Sequence, residues 1–138
     1  NNGCPYVTKE TLEKVKLEAR AVFFVTGKAV LQTADKGETS KRLDAIKEIL
    51  KDYPNAKWSI EGHTDNVGKK ASNLKLSQAR AKAVMDALIA RGLKAVNLSS
   101  KGFGDSKPAA TNKTAKGRAQ NRRTEIIYVG GADVDIKK

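Results

Sequence analysis

Apolar residues in this chain change spacing several times, and that alternation of period constrains the fold more than any other feature. Leu43, Ile46, Ile49, Leu50 and Tyr53 share one face of a helix predicted over Glu38 to Tyr53. Thr39 or Ser40 is available as its N-cap and Pro54 ends it. Lys57 to His63 then alternates, with Trp58 and Ile60 on one side and Lys57, Ser59 and Glu61 on the other, the pattern of a half-buried strand. Helical spacing returns in Ala81, Val84, Ala87 and Leu88, with Ser77 as N-cap, Leu76 as staple residue and Gly92 as the stop. Finally Thr124, Ile126 and Tyr128 alternate against Glu125, Ile127 and Val129, predicting a strand from Arg123 to Val129 whose apolar content suggests a central position.

Shorter elements fill the gaps. Leu12, Val15 and Ala19 recur at helical spacing while Val15 to Val25 also fit a spacing of two, which reads as a helix over Lys9 to Glu18 and a buried strand over Arg20 to Val25, closed by Thr26-Gly27. A polar loop runs from Asn66 to Lys75. Val96, Leu98 and Ser100 mark a further strand that ends at Gly102-Phe103-Gly104, and a long loop follows from Asp105 to Gln120. The order β-α-β-α-β-β predicts an α/β (α+β) two-layer sandwich, a mixed four-stranded sheet with helices packed on one face. The chain divides into an N-terminal linker and short helix (1–19), a globular domain (20–130) and a flexible tail (131–138).

At 138 residues, 39% apolar and 30% charged, the composition is that of one soluble globular core. No segment approaches the roughly 18 to 20 consecutive apolar residues of a membrane-spanning helix. The opening at Asn1 shows no secretory signal, which suggests a processed or excised piece of something longer. The net charge of +12 favours polyanions. A nucleic-acid partner is nevertheless disfavoured, because the basic residues are dispersed, aromatics are only 5% and no zinc-finger spacing or aromatic ribonucleoprotein motif occurs. Cys4 is the single cysteine, so the chain has no internal disulfide and no multi-cysteine metal site; Cys4 is either a free thiol or the partner of a cysteine elsewhere.

Catalysis is hard to build from these residues. His63 is the lone histidine and a candidate general base, although a single histidine at a strand end is more often structural. No metal-ligand spacing occurs, and Gly102-Phe103-Gly104 lacks the rest of a dinucleotide fingerprint, so no catalytic residue, metal or cofactor is expected. More informative is a pair of opposite charges. Asp65 lies just past a strand end, where open sheets place ligand-contacting groups, and Arg80 is predicted in the first turn of the following helix. A cation there opposes the helix dipole, yet beside unpaired N–H groups it would make an anion site, and the pair would suit a zwitterion. An equally good reading joins Asp65 and Arg80 to each other in a salt bridge. Arg118, Arg122 and Arg123 read as a solvated charge run, with Arg122 and Arg123 facing opposite sides of their strand.

Gly62-His63-Thr64-Asp65, Gly68, Asn73, Leu76-Ser77-x-x-Arg80-Ala81, Val84, Gly102-x-Gly104, Pro108, Asn112, Gly117-Arg118 and Asn121-Arg122-Arg123-x-Glu125 resemble the signature of the OmpA C-terminal family over roughly Phe23 to Val129. The resemblance implies a non-enzymatic periplasmic domain whose partner is peptidoglycan. Asp65 and Arg80 would grip the free ammonium and carboxylate of diaminopimelate. Thr64, Asn73 and Arg122 would shape the pocket, and Gly27 its opposite wall. It also implies no direct membrane insertion by this domain, and attachment to an N-terminal outer-membrane barrel. Asn1-Asn2-Gly3-Cys4-Pro5 does not match a lipoprotein cleavage motif and is similar to the end of the cysteine-bearing linker that precedes this domain in some barrel proteins. Two other readings compete: a nucleic-acid binder, on charge, and an enzyme acting on the wall.

Overall fold

The computed structural model describes residues 9–20, 38–54 and 56–131. Within them the chain order is α1 (Lys9–Arg20), α2 (Glu38–Leu50), β1 (Ala56–His63), α3 (Lys70–Ala90), a 3₁₀ turn (Ala95–Asn97), β2 (Leu98–Gly102), α4 (Ala115–Asn121) and β3 (Arg123–Gly131). The three strands lie in the order β2-β1-β3. β1 runs parallel to β2, with Trp58 opposite Leu98 and Gly62 opposite Gly102, and antiparallel to β3, with His63 opposite Arg123. The predicted mixed sheet and its helices are therefore present. The fourth strand, expected over Arg20 to Val25, lies outside the described residues except for Arg20, which ends α1. Among the described strands β1 is the middle one.

One core joins the layers. Trp58 and Ile60 of β1, Leu98 of β2 and Ile126 of β3 meet Ala81, Val84 and Leu88 of α3, Leu43, Ile46 and Leu50 of α2, and Val15 and Ala19 of α1. Ile46, Ile60, Val84 and Leu88 are completely buried, each contributing roughly 1.5–3 kcal/mol by leaving water. Trp58 is braced edge-on by Tyr128, ring centroids 5.6 Å apart. The face of α2 is as the sequence pattern predicts, but the helix begins at Glu38, so Thr39 and Ser40 fall inside its first turn instead of capping it. The strand β1 is not half-buried: Ser59 (7% exposed) and His63 (3%) are covered on the face opposite Trp58.

The main departure from the sequence reading is α3, which starts at Lys70 and so includes most of the expected Asn66–Lys75 loop. Its buried stripe is Asn73, Ser77, Ala81, Val84 and Leu88, continuous at helical spacing but polar in its first third. Ala71, Leu74, Lys75 and Leu76 are all good helix formers, so local propensity agrees with the observed start. Ser77 is consequently no N-cap. It sits fully buried mid-helix, donating from Oγ to the Leu74 carbonyl at 2.8 Å and accepting the Gly104 N–H at 2.9 Å. The end of α3 is as predicted: Gly92 takes φ +103, a left-handed conformation that favours glycine.

Two further expectations change in the C-terminal half. Val96 belongs to the 3₁₀ turn and is 75% exposed, so β2 begins only at Leu98. The long loop over Asp105 to Gln120 is interrupted by α4, whose N-cap Thr114 accepts the Gly117 N–H at 3.0 Å. Sequence periodicity misses α4 because a helix this short buries only Gly117 and Asn121.

A candidate ligand site at the carboxyl end of β1

The glycines at the ends of β1 and β2 bring α3 against the sheet. A Cβ at Gly62 would collide with the Ser77 carbonyl, and one at Gly102 with the Gln78 backbone nitrogen. With only hydrogens there, the middle of α3 presses onto both strand ends and sets the position of everything that follows His63. The chain leaves β1 through Thr64, whose N–H donates to Gly104 O at 2.8 Å and whose hydroxyl donates to Asp65 O at 2.8 Å. Asp65 then turns back on itself: its Oδ1 accepts the Val67 N–H at 3.0 Å. Asn73, in the first turn of α3, donates from Nδ2 to Val67 O at 2.9 Å and to Asp65 O at 3.4 Å, locking the turn to the helix. Thr64, Asp65 and Asn73 are all buried.

Arg122 reaches the same carboxylate from the other side of the fold. Its Nη1 donates to Asp65 Oδ2 at 2.5 Å, a charge-assisted hydrogen bond between opposite ions. The residue stands at the junction of α4 and β3, held by its backbone N–H donating to Arg118 O at 3.1 Å. That junction depends on Asn121, which is fully buried. Its Oδ1 accepts the Ala109 and Ala110 N–H groups at 2.6 and 2.8 Å, and its Nδ2 donates to Ala110 O and Asn112 Oδ1 at 2.9 and 2.7 Å. A Cβ on Gly117 would strike the Thr111 carbonyl, so glycine is also needed for α4 to fold against its own loop.

Arg80 is near the middle of the 21-residue helix α3, well past the first turn, so the expected placement beside free helix N–H groups does not hold. Its half-buried side chain nevertheless belongs to this site electrostatically. The guanidinium is held below its ordinary pKa first by burial and then by the positive charge of Arg122, with the negative charge of Asp65 acting the other way. Asp65, Arg80 and Arg122 are thus one interacting group of charges, bordered by Thr64 and Asn73. Of the predicted site residues, only Gly27 lies outside the described residues. The ion pair that Asp65 makes among the described residues is with Arg122.

Arg123 turns away to a second cluster. Its Nε donates to Glu125 Oε2 at 2.7 Å, and its two terminal nitrogens donate to Asn121 O and Lys107 O. Lys16 and Arg20 of α1 approach the other oxygen of Glu125 at 3.7 and 3.6 Å. Burial alone would push the Glu125 carboxyl up, but the charge and hydrogen bond of Arg123, together with smaller contributions from His63 and Arg20, hold it below its ordinary value. His63 lies here too, stacked on Phe103 with centroids 5.4 Å apart; among the described residues neither ring nitrogen has a hydrogen-bond partner, although Nε2 lies 3.5 Å from Glu125 Oε2. Burial lowers its pKa to about 4, helped by the charge of Arg123 and opposed by Glu125, so the ring is neutral at pH 7. His63 therefore packs as an aromatic element behind the Asp65 turn.

No described helix is long and apolar enough to cross a membrane. Comparison with known proteins places these features in a family context. The chain is 41% identical over 130 residues to outer membrane protein Omp38 of Acinetobacter baumannii, an alignment covering 94% of this chain and 35% of that protein. It is 44% identical over 85 residues to the peptidoglycan-binding protein ArfA of Mycobacterium tuberculosis, covering 62% of this chain and 26% of that one. The chain thus spans between about a quarter and about a third of the length of these curated relatives. Among solved structures, the peptidoglycan-associated lipoprotein from Burkholderia pseudomallei superposes with a TM-score of 0.69 at 32% identity, over 80% of this chain and 90% of that chain. The OmpA family model matches residues 23–122, the stretch that carries Asp65, Arg80 and Arg122, and with that match the chain belongs to the OmpA family.

Proposed function

We propose that this domain binds peptidoglycan without catalysing a reaction and anchors an outer-membrane protein to the cell wall from the periplasm. The ligand group is the diaminopimelate of the stem peptide, its free ammonium directed to Asp65 and its carboxylate to Arg80. Arg122 lies within reach of both charges, Thr64 and Asn73 hold the turn, and Gly27 is assigned to the opposite wall. The observation that carries this reading is the convergence of one buried carboxylate with two guanidiniums at a strand end. A zwitterionic amino acid centre is complementary to such a group, because each of its charges meets an opposite one in a partly dehydrated setting. The names of relatives such as ArfA and the peptidoglycan-associated lipoprotein support the same partner.

Each charge-assisted hydrogen bond would contribute on the order of 1.5 to 3 kcal/mol, so one site binds modestly. A wall offers many identical stem peptides, and rebinding converts modest affinity into firm tethering. The net charge of +12 assists approach to an anionic polymer. The test is pull-down by purified diaminopimelate-type peptidoglycan. Asp65→Ala or Arg80→Ala is expected to abolish retention while circular dichroism stays unchanged. Full retention of either folded variant rejects the assignment, and release of soluble wall fragments by the wild-type chain would show catalysis instead.

A further inference from the structure

Both carboxylate oxygens of Asp65 already have partners within the chain: Oδ1 accepts the Val67 N–H and Oδ2 accepts Arg122 Nη1. The residue is 7% exposed, so little of the carboxylate is open to a newcomer. The two partners differ in how firmly they are held. Val67 N–H is part of the backbone turn. The Arg122 side chain is 48% exposed, and Asp65 is the only acceptor its guanidinium finds among the described residues, whereas the neighbouring Arg123 side chain is tied by three hydrogen bonds and is 7% exposed. Arg122 is therefore the partner that can leave.

We propose, building on the reading above, that Arg122 is a specificity-determining competitor for Asp65: an ammonium reaches the carboxylate only by displacing the guanidinium, and the displaced guanidinium is stabilised only when the same ligand carries a carboxylate to it and to Arg80. An amine alone exchanges one ion pair at Asp65 for another and gains little. It also takes from Arg122 its counter-charge at a distance where its positive charge already acts on the half-buried Arg80, and like charges in a poorly hydrated setting repel. A carboxylate alone meets an Arg122 whose charge Asp65 already balances. A ligand with both charges a few bonds apart satisfies Asp65, Arg80 and Arg122 together. The site so built tests for a zwitterion, not for a cation.

The experiment is calorimetric titration of the folded chain and its Arg122→Gln and Arg122→Lys variants with three probes: meso-diaminopimelate, 1,5-diaminopentane, which keeps both amines and lacks both carboxylates, and pimelate, which keeps only the carboxylates. The wild-type chain should bind diaminopimelate and discriminate against both analogues. Arg122→Gln should cut the preference for diaminopimelate over diaminopentane by at least about tenfold, the factor equivalent to one charge-assisted hydrogen bond, with part of the change appearing as tighter diamine binding. Arg122→Lys keeps a displaceable cation and should retain most of the discrimination. An unchanged preference in Arg122→Gln, or a uniform weakening of all probes, overturns the competitor role while leaving the diaminopimelate assignment standing. Failure of the wild-type chain to bind diaminopimelate at all removes that assignment, and this inference with it.

Discussion

Asn121→Ala is the substitution whose consequence follows most directly from the geometry. The carboxamide makes four hydrogen bonds, to Ala109, Ala110 twice and Asn112, and the residue is 0% exposed. A net hydrogen bond contributes about 1 kcal/mol, which would bring the loss near 4 kcal/mol if every partner stayed buried. Ala109 is exposed and Ala110 and Asn112 are half-exposed, so water can replace part of what is lost. We therefore expect a loss of about 2–3 kcal/mol, read as a lower urea midpoint at unchanged slope in equilibrium unfolding. Asn121→Asp keeps an acceptor for the two N–H groups but turns a buried carboxylate oxygen toward the Ala110 carbonyl, so it should be at least as destabilising as Asn121→Ala. Because the backbone of Arg122 follows Asn121 directly, Asn121→Ala should also weaken retention on peptidoglycan. A stability loss below about 0.5 kcal/mol, the range of an ordinary surface substitution, would refute the view that Asn121 organises the loop from Lys107 to the start of β3.

Gly62→Ala and Gly102→Ala each place a methyl group into the backbone of α3, which cannot rotate aside, and each should cost about 1–3 kcal/mol or more in urea unfolding; wild-type stability in both would mean that α3 does not press on the strand ends. His63 supplies a pH dependence whose sign follows from its lowered pKa. The unfolded ring titrates near 6.5 and the folded ring near 4, so between those values the unfolded chain binds more protons and stability falls as pH falls. The contribution is complete above about pH 6.5, is lost progressively down to about pH 4, and amounts to at most about 3 kcal/mol. His63→Gln should flatten that part of the stability–pH curve measured by urea unfolding, and an equally steep curve in the variant would assign the dependence to another group.

The helices and strands of this protein are written locally, wherever one face of an element is apolar and the other is not. Leu43, Ile46 and Leu50 announce α2, Trp58 and Ile60 announce β1, and Val84 and Leu88 announce the second half of α3, because exclusion from water acts on each side chain through its own periodicity. The residues of the candidate site were legible in another way, through the spacing of Asp65, Arg80 and Arg122 within a family signature. The first third of α3 was not legible, since Asn73 and Ser77 occupy buried helical positions with polar side chains that serve the Asp65 turn and the Gly104 N–H. Nor was α4, which is held by the hydrogen bonds of Asn121 and the contact at Gly117 instead of by an apolar stripe.

What only the tertiary structure decided is which charge meets which. The sequence pairs Asp65 with Arg80 and reads Arg122 as part of a solvated charge run, and neither sequence separation nor residue type brings Arg122 to the carboxylate. The choice is made by α4, which delivers Arg122 across 57 positions of chain to the carboxylate, and by the packing of Gly62 and Gly102 on α3, which sets how near Arg80 can come. Charge pairing depends on distance and on exclusion of water, and both are properties of the assembled fold.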